Sequence, residues 1–529
     1  MIRKLLFAAC LTLPAAAQAE WVRAESTNYI AYSEGTAEDL KKRVADLEKF
    51  SHVLQAMTGA RRPKEVPVRI TVYFVRTVDD VSESLPYPAP GVAGYYNTTM
   101  RGPFTVMPRI STKPPAGARY KMPGLEAKTV LQHELTHHFM FQYFAAAYPA
   151  WYTEGFADYA GAIEIDDNNV VKVGLFLDNR AQALRSMDWV HLKELMNPIP
   201  GKSNFERFAI YSQGWITVHY LNSTPEGRKM LGDYLKRINA GQNFGEALKA
   251  FGDIEKFNAA VRAYARRSKI DASATQYLSL DPGKIEVAKL GAAEDALLTA
   301  QMSLSSGVAT GKAQGFARRV REIARAHPDN LYALRMLIEA ERLAGNFAEA
   351  TAATNRWLAR QPADPWANYF KGDMETVALA KAKSTDNAAW DAARARIRVA
   401  LKALPNEPRF ARAFYESYSR RGVLPPAAAQ NALSHALDLI PRESTLRYMV
   451  ASDYETRGMI DDAISTIAPD AYGIADETEK DKRRRERVMD QYKTAEDEDD
   501  KETPREMLVR LLAKKSGKTV EAKETAATQ

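Results

Sequence analysis

Proline-centred breaks recur through the second half of this chain and confine it to helical pairs. His327-Pro328-Asp329-Asn330, Gln361-Pro362-Ala363-Asp364, Leu404-Pro405-Asn406-Glu407 and Ile440-Pro441-Arg442-Glu443 follow one another at proline spacings of 34, 43 and 36 residues. Between them, a glycine is followed five residues later by an alanine at Gly345/Ala350, Gly422/Ala427 and Gly458/Ala463. Proline lacks the N–H that a helix interior needs, so it stops one helix before the next begins. Glycine permits a tight turn between two antiparallel helices, and alanine lets them approach closely. The spacing of 43 is irregular and predicts an insertion at Lys381 to Asn387.

The first half reads differently. Tyr29 to Tyr32 predicts a strand, Ala37 to Met57 an amphipathic helix closed by Gly59, and Val66 to Val75 a β-branched strand. Two short strands follow at Ala93 to Asn97 and Phe104 to Arg109, then a long helix from about Leu125 to Ala147, and a hairpin over Ile163 to Val173. A length of 529 residues admits two to four domains. An apolar fraction of 46% with 26% charge excludes collagen-like and wholly disordered chains. The net charge of +7 is modest, and no motif gathers it onto a nucleic-acid surface.

Arg3 and Lys4, the apolar run Leu5 to Leu13 and Ala17-Gln18-Ala19 have the layout of a secretory signal peptide covering residues 1–19. Its removal takes Cys10, the only cysteine, so the exported chain is expected to be periplasmic or secreted without disulfides. No stretch reaches the ~20 apolar residues of a transmembrane helix. Residues 476–529 hold 14 basic and 15 acidic residues, predicting a charged helix and a partly disordered tail.

The chemistry concentrates in Gln132-His133-Glu134-Leu135-Thr136-His137-His138-Phe139. His133 and His137 stand four apart, so a helix projects both imidazoles from one face toward a shared tetrahedral ion. Glu134 lies beside them, within reach of a water on that ion. His138 is rotated about 100° away and is expected to be buried or supporting. Downstream, Pro149-Ala150-Trp151-Tyr152-Thr153-Glu154-Gly155-Phe156-Ala157-Asp158-Tyr159 opens a second helix with Glu154 and Asp158 four apart. Glu154 supplies a third ligand, and Asp158 an acceptor for the distal N–H of a histidine, preferably His133.

HELTHHF followed by PAWYTEGFADYAG resembles the gluzincin metallopeptidases, in particular secreted peptidase-MA-like domains followed by tetratricopeptide repeats. The proline, glycine and alanine landmarks resemble those repeats, whose period is about 34 residues. The resemblance implies an α+β zincin-like domain, with a mixed sheet and a helical half, over residues 20–272. An all-α tetratricopeptide-like superhelix over 273–475 and the charged tail over 476–529 complete the chain. It implies Zn2+ held by His133, His137 and Glu154, with Glu134 as the base and Asp158 behind a ligand. Only sixteen residues separate His137 from Glu154, slightly fewer than in thermolysin-like members, so substrate subsites do not transfer.

Such folds also place a tyrosine or histidine on a later helix, which points to Tyr211 as oxyanion donor from the face it shares with Trp215 and His219. They place an edge strand above the zinc, for which Gly94-Tyr95-Tyr96 and Pro103 to Met107 are candidates. The implied function is an exported zinc-dependent peptidase whose repeats bind a protein partner. Trp357, Trp366 and Tyr369 either line a binding groove or pack between helices. Two alternatives stay open on the residues: a noncatalytic periplasmic scaffold with a vestigial zincin domain, and a zinc hydrolase of a nonpeptide envelope substrate.

Overall fold

The computed structural model of the chain describes residues 21–60, 66–87, 92, 94–109, 127–144, 146–197, 207–472 and 502–517. The leader expected at 1–19 and most of the charged tail lie outside them.

Strands β1 (Val22–Glu25), β2 (Tyr29–Ser33), β3 (Ile70–Val75), β4 (Tyr95–Thr99) and β5 (Gly102–Pro108) join a late strand, β9 (Glu286–Lys289), in one mixed sheet. Its order is β4-β5-β3-β2-β1-β9. β2, β3 and β5 are parallel, and the outer pairings are antiparallel. Helix α1 (Ala37–Thr58) starts where the Thr36 side chain accepts from the Asp39 N–H, and stops at Gly59 with φ 70°. It buries Leu40, Val44, Leu47, Phe50 and Leu54 against one face of the sheet, together with Leu131, Leu135 and Phe139 of α3 (Ala127–Tyr143). A short helix, α2 (Val78–Glu83), links β3 toward β4.

A helical half follows. It contains α4 (Ala150–Gly161), α5 (Asp178–Ser186), α6 (Leu192–Leu195), α7 (Arg207–Asn222), α8 (Pro225–Asn239), α9 (Phe244–Leu248) and α10 (Ile254–Ala265). Trp151, Trp215, Tyr234, Phe251 and Phe257 centre its core. The hairpin expected at 163–173 is β6 (Glu164–Ile165) and β7 (Val170–Val173), extended by β8 (Ser273–Gln276).

The expected boundary at 272/273 falls inside this first unit. β8 completes the small sheet, and β9 covers the β1 edge of the large one. Helix α11 (Ala292–Ser306) then lays Leu298 and Met302 on the second sheet face, against Tyr32, Tyr73, Phe104 and Val106. The opposite side of α11 turns Ala293, Leu297 and Leu304 toward Phe316 and Met336 of the helices that follow. Gln301 joins both units, donating to the Tyr73 hydroxyl at 2.9 Å and accepting from Tyr332 at 2.8 Å.

From 313 to 471 the chain is an array of helical pairs. After α12 (Ala313–Ala326) come α13 (Leu331–Leu343) with α14 (Phe347–Arg360), α15 (Pro365–Lys381) with α16 (Asn387–Ala403), α17 (Pro408–Ser419) with α18 (Ala427–Leu439), and α19 (Ser444–Thr456) with α20 (Ile460–Ala471). Each landmark proline lies between pairs. The spacing of 43 does not come mainly from an inserted loop, because α15 and α16 are each 17 residues long against 12 to 14 in the other pairs.

Within each pair the turn repeats. Gly345, Gly422 and Gly458 have φ near 75°, and their N–H groups bond back three residues while the next N–H reaches back five. Lys383 occupies the same place in the second pair at φ 49°, with its N–H on Ala380 O and the Ser384 N–H on Leu379 O. A left-handed lysine carries a Cβ penalty that glycine escapes. Lys383→Gly is therefore expected to raise stability by about 1 kcal/mol, read as a higher denaturant midpoint with an unchanged slope.

Two further expectations gain detail. The charged tail includes an ordered helix, Pro504–Lys515, whose Met507, Leu508 and Leu511 are buried against α19 and α20. Of the aromatic trio, Trp357 and Tyr369 are buried in inter-helix packing, and Trp366 lies between the guanidinium groups of Arg335 and Arg409.

Candidate metal centre

Helix α3 lies against β4 and β5 and is crossed by α4, which is in turn crossed by α7. Glycine makes the second crossing possible: a Cβ on Gly155 would stand 2.4 Å from the Gly214 carbonyl carbon, and one on Gly214 would stand 2.4 Å from Trp151 O. This contact fixes Glu154 of α4 and Tyr211 of α7 on the same side of α3.

His133, His137 and Glu154 converge there. His137 Nε2 is 3.1 Å from His133 Nε2, and Glu154 Oε2 is 3.3 Å from the first histidine and 3.4 Å from the second. Ligands about 2.0–2.1 Å from a tetrahedral zinc stand roughly 3.3 Å apart, so the triangle has the size such an ion requires. It is the one cluster of three or more His, Cys, Asp or Glu ligands of this kind among the described residues.

Asp158 is aimed at His133. Its Oδ1 accepts from His133 Nδ1 at 2.9 Å, which turns the Nε2 lone pair toward Glu154 and His137. Asp158 is itself held by Arg180, whose Nε and guanidinium NH2 donate at 2.6 and 3.0 Å. Sequence reading missed Arg180, which lies 22 residues beyond Asp158 in a helix whose spacing with α4 no local motif encodes. His137 Nδ1 is buried without a hydrogen-bond partner among the described residues.

The charges are strongly coupled. Burial opposes a charged His133, but its hydrogen bonds to the Asp158 and Glu154 carboxylates overcome it and lift its pKa to about 10. Burial likewise opposes a charged Glu154, yet the two histidines hold that carboxyl far below the usual range. The buried carboxylates of Glu154 and Asp158 favour positive charge at the point where the histidines meet. Burial raises the Glu134 pKa, with the histidines pulling the other way. Glu134 makes no hydrogen bond or ion pair among the described residues, so its carboxylate is not committed to a protein partner.

Tyr211 stacks near His133 at a ring separation of 6.4 Å, beneath the Arg180 guanidinium at 4.9 Å. Burial first, then nearby Glu154, pushes its pKa up, so its hydroxyl stays a donor. Trp215 and His219, on the same helix, are core residues instead. His219 Nε2 donates to Gly174 O, and its Nδ1 faces the Tyr264 hydroxyl. His138 points away from the cluster, with Nδ1 3.2 Å from the Tyr96 hydroxyl, and burial lowers its pKa to about 4.

Of the two candidate substrate strands, only β4 is an edge. The segment Pro103–Met107 is interior, paired with β4 on one side and β3 on the other. The repeat array reaches this region at several points, two of them through arginines. Arg101, in the β4–β5 turn, is ion-paired with the buried Glu339 of α13. Arg442, ahead of α19, places its guanidinium carbon 4.1 Å from the Phe141 ring centroid on α3.

No family model matches the chain, and no curated protein matches it. Among solved structures, it is similar over 38% of its length to TTC0263, a thermophilic tetratricopeptide protein of Thermus thermophilus. The similarity covers 98% of that protein at 19% identity and a TM-score of 0.29. It is also similar over 34% of its length to a MamA RS-1 ArsTM double mutant, covering 91% of that chain at 19% identity and a TM-score of 0.25.

Proposed function

We propose that this chain is an exported zinc-dependent peptidase of the gluzincin type, with a zincin-like first unit and a repeat array that engages protein. The observation that supports it is the triangle of His133 Nε2, His137 Nε2 and Glu154 Oε2, with sides of 3.1, 3.3 and 3.4 Å. When bound there, zinc supplies Lewis acidity and lowers the pKa of a coordinated water toward about 7.

The remaining chemistry belongs to the chain. Glu134 takes the proton of the attacking water on its carboxylate and returns it to the leaving amine. Its upward shift favours the first half of that exchange, because a carboxylate of higher pKa is the stronger base. Tyr211 donates its hydroxyl proton to the oxygen that gains charge at the scissile carbonyl. Asp158 and Arg180 keep the His133 ring oriented. The free edge of β4 accepts an extended peptide through main-chain hydrogen bonds. Export rests on the leader-like residues 1–19, and N-terminal sequencing of the mature protein is expected to begin at Glu20.

Metal analysis of the purified protein is expected to find about one zinc per chain, and a broad peptide library to be cleaved. Chelation should stop cleavage and zinc should restore it; a metal-free, inactive preparation that zinc does not rescue overturns the proposal. Asp158→Asn removes the charge shared by His133 and Arg180. It is expected to weaken zinc affinity about 10- to 100-fold in a chelator competition, with the fold retained by circular dichroism.

A further inference from the structure

A cavity of about 310 Å³ opens where the two units meet. Arg101 comes to it from the β4–β5 turn, Leu304 and Val308 from α11 and the chain just after it, and the other walls from the helical pairs of the array. Phe347 lines it while 47% exposed, and the side chains of Arg101 and Arg420 are partly exposed, so the space is reached from solvent. Its volume lies at the lower end of small-molecule sites and is roughly twice that of a cavity holding one benzene ring.

The walls divide by chemistry. Four guanidinium groups, of Arg101, Arg342, Arg409 and Arg420, line the cavity with only two carboxylates, Glu339 and Asp373. Arg101 and Arg409 pair with Glu339, and Arg342 and Arg420 pair with Asp373. Burial opposes the charge of both acids, but the arginines more than offset it and hold the two carboxyls below their usual range. The acids therefore stay ionised. Arg409 and Arg420 also hold Glu407 and Glu416, and Arg335 is a further partner of Glu339, so guanidinium groups outnumber carboxylates in the wider network too.

The surplus shows in one atom. Arg342 Nε is buried with no hydrogen-bond partner among the described residues. A buried donor left unpaired is costly, and an acceptor brought in by a ligand removes that cost. Most of the remaining lining is apolar, with Leu304, Val308, Phe347, Phe370 and Val377.

We propose that this cavity binds a small organic anion, with an oxyanion group on Arg342 and its neighbouring arginines and an apolar body against Phe347 and Phe370. A carboxylate and a phosphate monoester share that chemistry, because each presents a pair of oxygens to a guanidinium fork. The site needs both units, since Arg101 arrives on the turn between β4 and β5. It does not depend on the metal centre.

The test titrates the full chain by calorimetry, at constant ionic strength, with phenylacetate, phenyl phosphate and neutral phenylacetamide. At least one anion is expected to bind at one site per chain with Kd below about 1 mM, and the amide at least about tenfold more weakly. The tighter of the two anions identifies the oxyanion group. Arg342→Lys keeps a cation beside Asp373 but loses the Nε–H, and should weaken binding about tenfold. Val377→Trp fills the space without removing an ion pair and should abolish binding with the circular dichroism spectrum unchanged. If that variant does not fold, Phe347→Ser decides: it takes away an exposed ring and should weaken both anions at least about threefold.

Bound anion is also expected to slow amide exchange in the β4–β5 turn around Arg101. A chelator should leave the titration unchanged; binding lost with the metal places the anion at the zinc site and overturns the inference. Failure of both anions to bind, an amide that binds as well, or binding that survives intact in the folded cavity variant overturns it equally.

Discussion

Replacing Glu134 by Gln is expected to lower cleavage about 100- to 10,000-fold while about one zinc per chain stays bound. Glutamine keeps the size of the side chain but takes no proton at neutral pH. Metal retention follows from the geometry, because the converging atoms belong to His133, His137 and Glu154 and Glu134 is not among them. The check pairs zinc content with single-turnover cleavage of one library peptide. Undiminished turnover removes Glu134 as the base, and loss of zinc with activity shows instead that Glu134 supports the ligands.

The largest structural effect is expected at the crossing of α4 and α7. Gly155→Ala puts a methyl group 2.4 Å from a backbone carbon and 2.5 Å from its oxygen, and neither helix has a flexible side chain there that can give way. Overpacking of this kind costs about 1–3 kcal/mol, or about 2–4 °C of melting temperature per kcal/mol in a domain of this size. The helices must separate, which carries Tyr211 and Glu154 apart. A lowered transition accompanied by weaker zinc binding is expected by calorimetry and chelator competition. Unchanged values for both would show that α4 and α7 are not held by this contact.

The convergence of groups at the centre is largely local, and that made it legible. Two histidines four apart and two acids four apart each define a helix face without knowledge of the fold. What joins them is not local. Gly155 and Gly214 look like ordinary helical glycines until their helices cross, and Arg180 and Arg442 are recognisable only by what lies opposite them.

Strand β9 shows the same limit in the fold. Its residues, Glu286 to Lys289, are mostly exposed and lack an apolar alternation, so only pairing with β1 makes them a strand. The helical pairs were legible because prolines and glycines mark their ends chemically. Lys383 hid the second turn, where hydrogen bonding enforces a conformation the residue does not advertise.

Helix α11 sets how the protein can be cut. One side, Leu298 and Met302, roofs the sheet, and the other, Leu297 and Leu304, begins the repeats. Ending an expression fragment at residue 272 would strip that roof and the β9 border together, uncovering Tyr32, Tyr73 and Phe104 beside an unpaired strand edge. Starting a repeat fragment after α11 would bare Phe316 and Met336 in turn. The two units share a party wall, and a fragment built from either side has to keep it.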